Sequence, residues 1–342
     1  MTTTPSVAIV ILNWNGKSFL EQFLPSVLAT VYSNLQVWVA DNASTDDSVT
    51  FLQQHFPQVQ LICLKKNWGF AEGYNLALWQ IESDYYVLLN SDVSVEPEWL
   101  QPIIDWLEKD KTYGAAQPKI RSYHQPQFFE YAGAAGGWID TLGYPFARGR
   151  VLENLEADAG QYNHTAPIFW ASGAAMVVKR KAYWDCGGLD AGFFAHQEEI
   201  DLCWRMQLQG YKIFCVGQST VFHVGGGTLP RGASQKTFLN FRNNLTMLAK
   251  NLPTVELVWK LPLRMGLDWA AGVVQLRTVG FGYLKVILRA HVAFTQSWLT
   301  GKLRRSPRRK PLASLPGVYR GSILWQVMVR GRKNFSRGIK EA

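Results

Sequence analysis

The chain has 342 residues, 47% hydrophobic and 18% charged, which excludes a disordered polypeptide and leaves room for one large α/β domain with an appendage. Its net charge of +9 is unevenly placed: residues 1–250 hold 18 Lys/Arg against 23 Asp/Glu, while residues 251–342 hold 17 against 3. A mildly acidic body with a basic tail implies an anionic partner for the tail, and the tail's Trp, Leu and Val suit a lipid surface better than nucleic acid.

Val7–Leu12 is a continuous β-branched run, read as a first strand; it has no basic residues before it and stops at Asn13, unlike a signal peptide. Apolar residues at helical spacing follow over Phe19–Val31. The pattern then repeats: strand Leu35–Ala40 and helix Ser48–His55, strand Val59–Leu64 and helix Ala71–Ile81, strand Tyr85–Leu89. Such alternation predicts an α/β fold with a doubly wound, mostly parallel sheet. Residues 113–170 read as short strands and loops rich in glycine. Ala174–Lys179 is a further strand, Glu198–Gln209 a helix, and Tyr211–Val216 with Thr220–His223 close the domain near Leu252-Pro253. The division is therefore 1–252 and 253–342, the second part a basic, amphipathic helical region. The four cysteines (Cys63, Cys186, Cys203, Cys215) form no CxxC pair or metal-ligand spacing and read as reduced, buried thiols of a cytoplasmic protein.

In doubly wound sheets ligands bind beyond the carboxyl ends of the strands. Here those ends carry Asn13 and Asn15, Asp41 and Asn42, Asn67, then Asn90 and Asp92. Asn and Asp also favour ordinary turns, but four polar strand ends in a row point to a ligand. Asp41 can accept from the N–H of a pyrimidine base. In the string from Asn67 to Asn75, Gly69 and Gly73 allow close backbone approach, and the helix start offers free amides to a diphosphate. The spacing matches neither the dinucleotide fingerprint nor a P-loop. Asp92 is placed to hold a hard divalent cation beside that diphosphate. Glu198, Glu199 and Asp201 crowd a helix start behind Phe193 and Phe194. The helix dipole favours acids there, yet three exceed capping needs, and one could act as a general base. His223, before Gly225, Gly226 and Gly227, is a candidate metal or phosphate ligand.

These motifs, taken in order as VILNWNG, DNASTDDS, NWGFAEGYN, LLNSD, ASGAAMVVKR–GGLDAGFF, EEIDLCWR and a His before a glycine turn, resemble the family 2 glycosyltransferases, especially the rhamnosyltransferase-like branch. The resemblance runs from about Val7 to Lys250. It implies the nucleotide-diphospho-sugar transferase fold, with the basic helical extension appended. By it, Asn13, Asn15, Asp41 and Asn67 surround the nucleoside, with Asn42, Gly69, Asn75 and Asn90 also at the donor. Asp92 is the second acid of a DXD-like motif whose first position is Asn90 here, and His223 joins it at Mg2+ or Mn2+. The base position falls on Glu199, with Glu198 and Asp201 as neighbours that orient or replace it. The implied chemistry is one in-line, inverting displacement from a dTDP-rhamnose- or UDP-hexose-type donor to a glycan or lipid-linked acceptor, in polysaccharide or lipopolysaccharide biosynthesis. No QxxRW motif is present, so processive synthesis is not expected.

In the tail, charges interrupt the apolar stretch from Leu257 to Val292, so no uncharged run reaches the roughly 18–20 residues of a bilayer span. Lys260, Arg264, Lys285 and Arg289 fall near one helical face, although Gly280 and Gly282 disfavour an unbroken helix. Trp259, Trp269 and Trp298 suit an interface, and Lys302 to Lys310 contains six basic residues in nine. The expectation is a peripheral helix pair on the anionic inner face of the cytoplasmic membrane, with a homodimer contact as the alternative. A sugar nucleotidyltransferase would want a Gly-rich basic loop where NWNGKSF stands. A non-catalytic scaffold would lack Asp92, Glu199 or His223. The acidic body and the lack of a known module argue against nucleic acid.

Overall fold

The computed structural model describes residues 4–225, 234–276 and 278–339; Gly226, Gly227 and Arg277 of the segments considered above lie outside the described residues. Strands are β1 (Val7–Asn13), β2 (Leu35–Asp41), β3 (Gln60–Cys63), β4 (Tyr85–Leu89), β5 (Val93–Val95), β6 (Tyr113–Ser122), β7 (Gly137–Asp140), β8 (Pro145–Ala147), β9 (Arg150–Val151), β10 (Asn154–Leu155), β11 (Ala166–Pro167), β12 (Ala175–Lys179), β13 (Lys212–His223) and β14 (Val318–Tyr319). The helices used below are α1 (Lys17–Leu28), α2 (Ser48–His55), α3 (Gly69–Leu78), α4 (Gln101–Leu107), α5 (Arg180–Asp185), α6 (Glu198–Gln209), α7 (Ser234–Asn251), α8 (Thr254–Gln275) and α9 (Phe281–Leu299).

The main sheet runs β11-β13-β6-β12-β4-β1-β2-β3, with β5 paired to β13. β3, β2, β1 and β4 are parallel, while β12 enters antiparallel between β4 and β6, so the sheet is mixed. Strand periodicity sorts the core: Ala8 and Val10 of β1 face one apolar cluster, and Val7, Ile9 and Ile11 face the other. Burial on both faces is why these strands read as continuous β-branched runs. The two runs expected over 211–223 are one strand, β13, whose register against β6 shifts between Val216 and Thr220. That irregularity is what divides the apolar pattern.

The glycine-rich stretch after β6 forms a second sheet, β10-β9-β8-β7-β14. Its β14 comes from the tail. Helices α7 and α8 break at Pro253, and after α9 the chain returns to the body. Ile323, Phe335 and Ile339 pack with Phe129, Trp138 and Phe146 in a third core, and Glu156 accepts the Phe335 amide at 2.5 Å. The tail helix is broken at Gly280, whose φ is 82°. Three of the four cysteines are buried as expected and all are free, but Cys63 is exposed.

Candidate active site

The parallel register brings the strand ends together. Asn13 lies opposite Asp41 on neighbouring strands, and Asp41 opposite Cys63. Asn13 Nδ2 donates to Asp41 Oδ1 at 3.1 Å and to Ser44 Oγ at 3.2 Å, and the Ser44 amide donates to Asp41 Oδ2 at 2.9 Å. Asn15 Oδ1 accepts the Thr45 amide at 2.7 Å, which joins the loops after β1 and β2. Asn13 Oδ1 is buried with no protein partner, so one acceptor of this cluster is left for a ligand.

Asn42 and Asn67 sit at the same edge, holding loop backbone. Asn42 Nδ2 donates to Asn67 Oδ1 at 3.1 Å and Gly69 O at 3.0 Å, and its Oδ1 accepts the Trp68 amide at 2.9 Å. The start of α3 departs from expectation. The Gly69 amide is taken by Asn67 Oδ1 at 2.8 Å, and the amides of Phe70 and Ala71 both donate to the Phe194 carbonyl, at 2.7 and 3.2 Å. These amides are therefore not free for a diphosphate. Gly69 has φ 75°, and a Cβ there would lie 2.5 Å from the Phe194 ring, so its glycine serves this contact. Asn75 Nδ2 donates to Leu189 O at 2.7 Å and its Oδ1 accepts the Leu189 amide at 3.0 Å, so it fixes the loop after α5.

Beyond β4, Asp92 meets His223 from the end of β13, carried there by the antiparallel β5–β13 pairing. His223 Nε2 lies 3.1 Å from Asp92 Oδ1, and Nδ1 lies 3.1 Å from Glu130 Oε2. The Asn90 amide nitrogen is 3.4 Å from Nε2. Burial would lower the His223 pKa, but hydrogen bonds and charge from the two carboxylates outweigh it and push it up to about 10. Burial would raise Asp92 and Glu130, but His223 holds both below the ordinary carboxylate value. Glu130 was not singled out from the sequence. It stands in the glycine-rich stretch, 93 positions from its partner. No three His, Cys, Asp or Glu side chains among the described residues form a metal cage. Glu130 faces the ring nitrogen away from Asp92 and fixes the orientation of the ring.

Glu198 and Glu199 open α6. Three of the four loop residues before them, Phe194, His196 and Gln197, have positive φ of 65°, 70° and 70°, backbone that costs of order 1–3 kcal/mol per residue. The loop is held from α7. Asn243 Nδ2 lies 3.1, 2.8 and 2.7 Å from the carbonyls of Phe193, Ala195 and His196, and Arg242 reaches Phe193 O at 2.8 Å. Asn244 reaches Gln197 Oε1 at 3.2 Å. The one signal for these anchors in the chain is three polar residues in a row, Arg242, Asn243 and Asn244, on an otherwise amphipathic helix. Burial and the Lys236 charge bring His196 down to about 4, leaving its ring neutral.

The three acids differ in environment. Burial pushes Glu199 up to about 7, and burial with the neighbouring Glu199 charge drives Glu198 well above the ordinary value. Each has an Oε2 without a protein partner. Asp201 departs from the role of an alternative base. It is fully buried and accepts from Arg205 at 2.8 Å, Lys250 at 2.9 Å and Asn251 at 2.8 Å. Burial alone would raise it, but Arg205 and Lys250 hold it at about 2. The loop 172–174 bridges the two centres: the Asn90 amide donates to Ala174 O at 3.1 Å, and a Cβ at Gly173 would stand 3.9 Å from Glu199 Cβ.

The polar cluster at the parallel strand ends, the Asp92–His223 pair and the raised Glu199 carboxylate beside Gly173 lie at the carboxyl edge of a mixed α/β sheet. The chain belongs to glycosyl transferase family 2, whose model matches residues 6–187. It is similar to the N-acetylglucosaminyl-diphospho-decaprenol L-rhamnosyltransferase of Mycobacterium tuberculosis, 25% identical over 330 residues, covering 90% of this chain and 97% of that one. The fold is shared with a mannosyltransferase from Pyrobaculum calidifontis in complex with GDP-Man and Mn2+ (TM-score 0.54, 17% identity, 86% and 88% of the two chains). It is also shared with GalNAc-T7 bound to UDP, GalNAc and Mn2+ (TM-score 0.60, 12% identity, 90% and 59%).

Proposed function

We propose that this glycosyltransferase is inverting and transfers a sugar from a dTDP-rhamnose- or UDP-hexose-type donor to a hydroxyl of a glycan or lipid-linked acceptor. The observation that carries the reading is Glu199: an unpartnered carboxylate oxygen, with its ionisation brought to about 7, across Gly173 from the Asn90–Asp92 strand end. The acceptor O–H gives its proton to Glu199 as its oxygen attacks the anomeric carbon. The bond from that carbon to the diphosphate oxygen breaks on the opposite face, which inverts the configuration. A base tuned near neutrality contributes typically ~10²–10⁴ in rate. Burial and the Glu199 charge in turn keep Glu198 protonated beside it.

Asn13, Asn15 and Asp41 take the nucleoside, and Asn42, Asn67 and Gly69 keep that edge in shape. Asp92 and His223 would hold a divalent cation, Mg2+ or Mn2+, through one carboxylate oxygen and Nε2 once the cation displaces the proton that Nε2 shares with Asp92, with donor oxygens and water completing the shell. When bound, such a cation would neutralise charge on the departing diphosphate. The relative's lipid-linked substrate and the basic tail support a site of action at the inner face of the cytoplasmic membrane.

A thermal-shift screen of UDP, dTDP and GDP, with and without Mn2+, on wild type and Asp92→Ala tests the donor half. Stabilisation by one nucleotide family is expected, with its metal-dependent part lost in the variant. No shift with any nucleotide would overturn the reading.

A further inference from the structure

Helix α8 is built inside out. Its four charged residues all turn inward: Lys260, Arg264 and Asp268 are 2%, 3% and 1% exposed, and the Glu256 side chain 18%. Lys260 pairs with Glu256, whose other oxygen accepts the Leu312 amide at 3.1 Å. Arg264 lies 3.3 Å from Asp268 and 3.5 Å over the Tyr144 ring, and His291 of α9 meets Asp268 at 3.2 Å. This corrects the expectation that Lys260 and Arg264 share an outward basic face with Lys285 and Arg289. Outward stand Val255, Val258, Trp259, Leu263, Trp269 and Val273, exposed by 37–83%.

An uncharged apolar strip along a 22-residue helix is not a solvent face. Its surroundings choose the occupant. The exposed charges nearby in the chain include Lys285, Arg289, Lys302, Arg304, Arg308, Arg309 and Lys310, and both described carboxylates of residues 253–339, Glu256 and Asp268, are paired inward. A second copy would bring a second basic tail against the first, whereas an anionic bilayer attracts the tail and dissolves the strip. No described helix is long and apolar enough to cross a membrane, so the contact lies in the plane of the surface.

We propose that the outward face of α8, in a tail whose exposed charges are basic, beds into the headgroup–acyl boundary of an anionic membrane. The surface is tied to the site. Arg264 donates to Asn244 Oδ1 at 2.8 Å, and Asn244 in turn holds Gln197, two residues before Glu199. Docking therefore sets the base loop at a fixed height above the leaflet. This deepens the lipid-linked acceptor reading and rests on it for its purpose, though not for its physics.

The test is sedimentation of the full chain with vesicles of phosphatidylcholine alone or with 30% phosphatidylglycerol, about the anionic content of a bacterial-type leaflet. Partition into the anionic vesicles is expected. Lys285→Ala with Arg289→Ala should weaken it about 25-fold, a factor of about five per charge. Val255→Glu with Val258→Glu should weaken it more than about tenfold. Both pairs are exposed, and each variant must keep the wild-type melting temperature and nucleotide-induced shift. Unchanged partition in both variants overturns the proposal. So does a dimer of the wild-type chain in light scattering that Val255→Glu with Val258→Glu dissolves, which would assign the face to a second copy. Loss of the nucleotide shift in wild type would instead strike the transferase reading and leave the membrane result standing.

Discussion

Glu199→Gln should inactivate the enzyme and stabilise it. Burial moves the Glu199 carboxyl from 4.5 to about 7. A raised acid pKa means that the fold prefers the protonated form. Below about pH 4.5 both folded and unfolded chains are protonated, and the residue has no effect. Between 4.5 and 7 only the unfolded chain ionises, so stability falls as pH rises, and above 7 the full penalty applies. At 1.36 kcal/mol per pH unit the ceiling is roughly 3 kcal/mol; partial exposure and exchange of charge with Glu198 reduce it to about 1–2 kcal/mol. Glutamine keeps the shape without the charge. For a chain of this length that gain is about 2 °C in melting temperature at pH 8, shrinking to nothing near pH 4. Nucleotide release with acceptor should fall ~10²–10⁴-fold, and wild-type kcat should rise through a pKa near 7. Paired melting curves across pH 4–8, with nucleotide release at pH 8, decide it. A variant less stable than wild type at pH 8, or one that keeps its turnover, would refute the reasoning.

Asp201→Asn should do the reverse: it removes the shared acceptor of Arg205 and Lys250, costs about 3 kcal/mol as a broken buried pair, and spares turnover per folded molecule, read by denaturant melts beside nucleotide release. Asn243→Ala frees the three carbonyls of the base loop; kcat should drop roughly ten- to hundredfold while the nucleotide-induced thermal shift persists. Gly69→Ala places a methyl 2.5 Å from the Phe194 ring at φ 75°, so both melting temperature and kcat should fall, by about 1–3 kcal/mol in stability.

The fold of the first 95 residues was legible because each strand is buried on both faces and each helix on one, so the period changes with every element. Ser48–His55 and Tyr85–Leu89 match the expected limits to the residue. The site was legible only where it follows from strand ends. Parallel register sets Asn13 beside Asp41, as any such sheet does, while the β5–β13 pairing that carries His223 to Asp92 had no signal in the chain order. What the sequence hid depends on contacts between distant segments. The α3 amides look free until the Phe194 carbonyl, more than a hundred residues away, arrives on them. Glu198, Glu199 and Asp201 look equivalent until Lys250 and Asn251 claim the third.

The same dependence explains why the tail was read with its basic residues outward. A helical wheel sorts residues by polarity and assumes that the apolar stripe faces protein. In α8 both of its opposite faces are internally consistent, one apolar and one ionic, and polarity alone cannot say which meets the body. The body decides. Asn244, Tyr144 and His291 offer an acceptor, a ring and a base for the ionic face, so Arg264 and Asp268 turn in and the valines and tryptophans turn out. Burying that many charges is worthwhile only if the apolar face also gains by turning outward, since an ionic interior alone rarely stabilises a fold over a packed apolar one. The inversion of α8 is thus the arrangement that the proposed lipid contact would favour.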